Sequence, residues 1–318
     1  MTNFNVALLN DSEFGKELGK KGTSTDFTIY NTKQGEDTFC FFDPHQYPDK
    51  IQSLINVLAL TDSVVFVIHK LDQYLGEMIV AMDLMNKDKG LIIFDDYVEK
   101  EKFIAMVGGA SIEKFIIVNQ KPFEVYEKLQ QYCKIDDGTG EDFKLNIDAF
   151  FDVKSVGTVV LGAVRKGQVN VHDELQLYPS DKKVTVKSLQ VHDEDVKKAD
   201  KGSRVGLALK GANVEDLDRG MVLAKPGSLQ VASEIVLDVK FSKYYTEKLE
   251  AGKGYFVSVG MQYKQAKLID IKEEGDLIKK KILKFQLQVP IAFSKDNQFL
   301  IIDLGAKARI CGVGMLSE

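Results

Sequence analysis

The feature that most constrains this chain is a change of hydrophobic rhythm near residue 140. Before it, short continuous apolar runs alternate with helical spacings. Phe4 to Leu9, Asp26 to Tyr30, Thr38 to Phe42, Ser63 to Ile68, Leu91 to Phe94 and Phe115 to Val118 read as strands, mostly of the kind buried on both faces of a parallel sheet. Ile51, Leu54, Ile55 and Leu58 recur at helical spacing, as do Leu75, Met78, Ile79 and Met82, and then Phe123, Tyr126, Leu129 and Cys133 behind Pro122. The pattern predicts a three-layer α/β domain.

After residue 140 the helical spacing almost vanishes and short strands follow one another. Gly157 to Arg165, Val169 onward, Glu174 to Tyr178 and Val184 to Val191 read as a β-meander, punctuated by Lys166-Gly167, His172-Asp173 and Pro179-Ser180-Asp181. Ile235 to Val239, Tyr255 to Val259, Lys284 to Val289 and Phe299 to Leu304 form a second β-rich unit. Repeated close strands predict two small antiparallel barrels. Asp136 to Asp142, charged and without an apolar side chain, sets the first boundary. The expected domains are 1–140, 141–229 and 230–318, in keeping with 318 residues at roughly 100 to 200 per domain.

Charge divides the same way. Residues 1–142 carry 14 Lys, no Arg and 24 Asp and Glu, a net of −10, whereas 143–229 and 230–318 carry +2 and +3. An acidic, arginine-free first part is a poor platform for phosphates, while the remainder can touch RNA if its charges share a face. Apolar strings such as Val64 to Ile68 stop far short of the ~20 residues that span a bilayer, and no leader-like segment opens the chain, so a cytoplasmic protein without a membrane partner is expected. Cys40, Cys133 and Cys311 form no CxxC pair, and His45, His69, His172 and His192 show no metal-ligand spacing, so neither a disulfide framework nor a metal site is expected. No nucleophile-elbow or Ser-His-Asp pattern is visible, and no catalytic residue is assigned.

Three ordered blocks then carry a resemblance. Val156-Gly157-Thr158-Val159-Val160-Leu161-Gly162-Ala163-Val164-Arg165-Lys166-Gly167, Gly202 to Gly211, and Asp218 to Gly227 resemble the second-domain barrel of the translational GTPases, with its GxGTVVxGxVxxG, GxxVGxxLxG and RGxVLAxPG pattern. Gly157, Gly162 and Gly167 also make sense alone, because they fall where strands bend and a side chain at positive φ would clash. Gly254 to Gln262 and Asp303 to Gly314 are similar to the last domain of the same family, the elongation factor Tu and archaeal selenocysteine-factor group, which implies an archaeal source. The resemblance implies a P-loop GTPase-like α/β domain followed by the two barrels.

The family's nucleotide motifs are eroded. A phosphate loop GxxxxGK[ST] should follow the first strand, its glycines admitting phosphates to backbone N–H groups, its lysine reaching the β and γ oxygens and its hydroxyl holding magnesium. Here Asn10-Asp11-Ser12-Glu13-Phe14-Gly15-Lys16-Glu17 stands there: Gly15 and Lys16 keep register, but Asn10 replaces the first glycine and Glu17 the hydroxyl. Asp11, Glu13 and Glu17 would each repel phosphate by about 1 to 4 kcal/mol at ~4 Å. Where the family has DxPGH, this chain has Asp43-Pro44-His45-Gln46-Tyr47; NKxD is replaced by Phe94-Asp95-Asp96-Tyr97 and SA[KL] by Asn119-Gln120-Lys121. Twenty-five residues separate Glu17 from Asp43, too few for the family's first switch.

The sequence therefore predicts a vestigial phosphate site at Asn10, Gly15, Lys16, Glu17 and Asp43, with no GTP or magnesium cofactor, and RNA binding to transfer RNA or the ribosome through the barrels. Arg165, Arg204, Lys210 and Arg219 are the candidate phosphate contacts, with Arg219 equally suited to anchoring its turn. Lys279 to Lys281 with Lys284 reads more readily as a solvated strand edge. Two alternatives stand beside this: a regulatory module binding a translation-factor protein without nucleic acid, and a rewired GTPase. DNA is not an expected partner.

Overall fold

The apolar runs of the first unit, Met1–Asp136, become strands of one sheet. The computed structural model describes residues 2–134, 142–273 and 280–317. The strands are β1 (Asn3–Leu9), β2 (Lys20–Ser24), β3 (Thr28–Gln34), β4 (Asp37–Asp43), β5 (Ser63–Ile68), β6 (Gly90–Phe94) and β7 (Ile116–Val118). They lie in the order β2-β3-β4-β1-β5-β6-β7. From β4 to β7 all neighbours are parallel, and every residue of central β5 is buried, as strands covered on both faces must be. β3 and β2 add to the β4 edge antiparallel, so the sheet is mixed rather than wholly parallel. β2 is Lys-Lys-Gly-Thr-Ser and mostly exposed, which explains why no apolar signal marked it.

The helices are α1 (Ser12–Leu18), α2 (Ile51–Leu60), α3 (Gln73–Leu84), α4 (Lys100–Met106) and α5 (Pro122–Tyr132). α2, α3 and α5 follow the expected spacings, and α5 begins at Pro122, whose missing N–H costs nothing at a helix start. α1 corrects the expectation of a loop. Asp11 caps it, and Phe14 and Leu18, one turn apart, are buried against the sheet.

The second unit, Asp137–Glu318, holds two barrels. In the first, the strand Gly157–Lys166 pairs with Lys144–Val153 on one side and Arg204–Lys210 on the other. The hairpin Glu174–Tyr178 and Lys182–Val191 closes the ring through Val222–Ala224 and Arg204–Lys210. Of the expected meander the hairpin holds, whereas Gly157–Lys166 pairs with the strand before it, Lys144–Val153, and with the distant Arg204–Lys210. Gly157 and Gly167 have φ of +98° and +60°, and a Cβ at Gly162 would strike the Asn146 carbonyl oxygen; these are the backbone freedoms inferred from the pattern. The second barrel is closed, in the order Gln230–Phe241, Lys280–Phe293, Gln262–Glu273, Gly254–Val259, Phe299–Ile302, Ile310–Leu316, around Leu237, Val257, Leu283, Phe285 and Phe299. The charged segment Asp136 to Glu141 and Lys279 lie outside the described residues. No helix among the described residues is long and apolar enough to cross a membrane.

One ion pair ties the first barrel together. Asp148, on Lys144–Val153, is bonded by both terminal nitrogens of Arg204, with Nη2 2.9 Å from Oδ1. The two side chains are 1% and 10% exposed. Arg219 Nε donates to the Asp148 carbonyl at 2.6 Å, so two strands and the Asp218 to Met221 turn converge on one residue. Losing one partner of a buried pair strands the other charge. Arg204→Ala is expected to destabilise the protein by about 3 to 5 kcal/mol in urea denaturation, and Lys210→Ala, at an exposed strand end, by no more than about 0.5 kcal/mol.

Candidate functional site

Strands β1, β4 and β5 run parallel and end together at Leu9, Asp43 and Ile68. In open α/β sheets, ligands bind in the crevice outside such carboxyl ends. A cavity of about 350 Å³ lies there, lined by the residues that leave these strands, among them Asn10, Asp11, Asp43, His45, Lys70 and Asp72. Its shape follows from short connections. Only Asn10 and Asp11 separate β1 from α1; Asn10 takes a positive φ of 74° and ties itself to the Val67 carbonyl on β5 with its side-chain amide.

Of the expected phosphate residues, Asn10 and Asp43 reach this cavity. Gly15, Lys16 and Glu17 do not line it, because the chain is already helical there. Gly15 is needed for packing: a Cβ would come within 2.5 Å of the Tyr30 ring. Lys16 is 60% exposed and its Nζ lies 2.6 Å from Glu13 Oε1. Glu17 is exposed. Of the three carboxylates expected to crowd a phosphate, Asp11 alone lines the cavity.

The polar residues that follow these strand ends are bonded within the domain. Asp11 Oδ1 accepts the Phe14 amide hydrogen at 2.9 Å, closing the start of α1. Its Oδ2 accepts from Gln120 Nε2 at 2.9 Å and lies 3.6 Å from His69 Nε2. His69 Nδ1 is in turn 3.2 Å from Asp95 Oδ2. One network thus joins the loop after β1, the ends of β5 and β6 and the loop after β7. Asn119 turns away to Glu124, 3.0 Å from its Oε2. In the Asp43-to-Tyr47 segment, His45 Nδ1 is 3.1 Å from Thr28 Oγ1, Gln46 donates to the Thr25 carbonyl at 3.2 Å, and the Tyr47 hydroxyl lies 3.0 Å from Glu77 Oε2. His69 was the residue sequence reasoning passed over, since a histidine after a strand carries no motif of its own.

Asp43 is the strained charge of the site. It is 3% exposed, and among the described residues its Oδ2 has no hydrogen-bond donor. Burial raises the carboxyl above its ordinary range, against the lowering effects of the Ser12 hydrogen bond and of His45, while Asp11 adds to the rise. A carboxyl raised on folding holds its proton longer in the native state, so its contribution to stability is present at low pH and is lost as pH rises from the unfolded value through the folded one. Asp43→Asn is therefore expected to unfold at higher urea than the parent at pH 7, and the advantage should shrink as both are titrated down towards pH 4; a gap independent of pH would contradict this.

Among the expected RNA contacts, Arg204 and Arg219 converge on Asp148, as described above. Arg165 is half-buried and Lys210 exposed. Beside Arg165, Lys166 Nζ pairs with Asp296 at 2.9 Å, and Lys144 donates to Asn297 at 3.2 Å. Burial, with Lys166 and Arg165 nearby, lowers the Lys144 amine to about 8 against the pull of Asp296.

The elongation factor Tu domain 2 family matches residues 157–224. An uncharacterised protein of Methanocaldococcus jannaschii is 39% identical over 302 residues, covering 95% of each chain. The selenocysteine-specific elongation factor of the same organism is 26% identical, over 94% of this chain and 72% of its own. Translation elongation factor SelB from Methanococcus maripaludis, solved with the GTP analogue GppNHp, superposes with a TM-score of 0.83 at 22% identity, covering 100% of this chain and 79% of its own. A bacterial selenocysteine-specific elongation factor gives 0.79 at 19% identity, over 99% of this chain and 58% of its own. The chain therefore belongs to one family with the Methanocaldococcus jannaschii protein of 39% identity, an elongation factor-like family that carries the elongation factor Tu second domain at residues 157–224 and shares the fold of the selenocysteine-specific elongation factors.

Proposed function

We propose that this protein is an elongation factor-like component of translation whose first domain has given up binding and hydrolysing GTP, and which acts by binding RNA through its barrels. The observation that carries the first half is the network from Gln120 through Asp11 and His69 to Asp95. Each of these positions except His69 falls where the family keeps a nucleotide motif, and each is now committed to an internal partner. The residues fit a nucleoside polyphosphate with magnesium poorly. A carboxylate closes the start of α1, where a phosphate would gain most from the amide groups, and the lysine in register with the phosphate-binding one is held outside by Glu13. Calorimetric titration with GTP and GDP in magnesium is expected to give no saturable heat up to ~100 μM, about 5.5 kcal/mol of binding free energy; micromolar binding of either would overturn this half.

The second half is supported by the relatives, which are translation elongation factors by name, and by the charge of the barrels, which carry all the arginines and a net positive charge. Because Arg204 and Arg219 serve Asp148, exposed lysines are the better phosphate contacts, Lys210 first. In filter binding to transfer RNA, affinity is expected to fall steeply with salt, and Lys210→Glu to weaken it and lower the log–log salt slope by about one. RNA binding that is absent at ~0.1 M salt would favour a protein-binding module instead.

A further inference from the structure

The cavity outside β1, β4 and β5 has the wrong sign for a phosphate and a suitable one for an organic cation. Its lining brings three carboxylates, Asp11, Asp43 and Asp72, against one ammonium, Lys70. Two of the three are already spent within the protein. Asp11 is taken by Phe14 and Gln120. Asp72 caps α3 through the amides of Tyr74 and Leu75, at 3.0 and 2.9 Å, and pairs with Lys70 at 2.9 Å. Asp43 differs: it forms part of the cavity wall, is 3% exposed, and among the described residues no group donates to its Oδ2. Such an oxygen is costly to leave unmet, and a ligand carrying N–H donors relieves it.

Tyr47 and Tyr74 close another side of the cavity, their rings edge to face at 6.4 Å. Aromatic rings beside a carboxylate are the surroundings in which ammonium and guanidinium groups are held, by cation–π attraction together with charge. A divalent metal wants several ligands at once, and among the described residues no three His, Cys, Asp or Glu side chains are placed to share one. The volume, about 350 Å³, is at the small end of ligand pockets.

We propose that this cavity binds a small free organic cation, an alkyl amine or guanidine, whose charged end is bonded to Asp43 and whose stem lies against Tyr47 and Tyr74. The proposal rests on the reading that the cavity is no longer a nucleotide site. Calorimetric titration of the full chain at ~0.1 M salt with agmatine and with putrescine, and with 1-butanol as the neutral control, tests it. At least one of the two cations is expected to saturate a single site at submillimolar concentration, and butanol to give no binding. Asp43→Asn should weaken the cation at least about tenfold. Tyr74→Ala, at a side chain 40% exposed, should weaken it about threefold without threatening the fold. No saturable heat from either cation, equal binding of butanol, or affinity unchanged in both variants would overturn the proposal. GTP with magnesium, titrated separately, keeps the two readings apart: its binding sinks the loss of nucleotide use, whereas failure of GTP and of both amines sinks the amine site alone.

Discussion

Asp11 stands between the first strand and the first helix, and its carboxylate does two things at once. One oxygen takes the amide hydrogen of Phe14, and the other takes the side chain of Gln120, 109 residues later. A helix start offers unpaired N–H groups and a positive dipole end to a single negative partner. Once an internal carboxylate holds that place, a two-residue loop is enough to join strand to helix, and the neighbouring polar groups pair with one another. His69 and Asp95 follow from the same commitment, because a carboxylate at Asp11 gives the imidazole something to approach.

The barrel repeats this logic with the signs reversed. Arg204 and Arg219 look in the sequence like phosphate contacts, and both turn to Asp148. A guanidinium forms paired bonds to a carboxylate as readily as to a phosphate, and which it meets depends on what the opposite strand brings within reach. Here Lys144–Val153 places Asp148 inside the sheet, its side chain 1% exposed, so its carboxylate takes Arg204 and its backbone carbonyl takes Arg219. What remains for an external partner on this barrel is carried mainly by lysine, a flexible point charge suited to contacts that set affinity more than position.

The ends of β1, β4 and β5 enclose a cavity rather than a filled wall. The strand ends still diverge, since the sheet order that opens the crevice is fixed by the connections and not by the ligand. Asp43, at the end of β4, is buried in the wall of this cavity, and among the described residues one of its oxygens has no donor.

The sequence by itself determined the architecture: the rhythm of apolar residues separated α/β from barrel, Pro122 marked a helix start, and Gly157, Gly162 and Gly167 marked bends. These signals are local, each written within a few residues by backbone period or steric freedom. It did not show β2, whose residues are polar at a sheet edge, nor α1, whose seven residues carry only the Phe14 and Leu18 spacing. Only the tertiary structure decided who pairs with whom. Gln120 with Asp11, His69 with Asp95 and Arg204 with Asp148 are separated by 109, 26 and 56 residues. Such partners are chosen by which strand ends and faces come together and by how deeply they are buried, and no pattern along one segment carries that information.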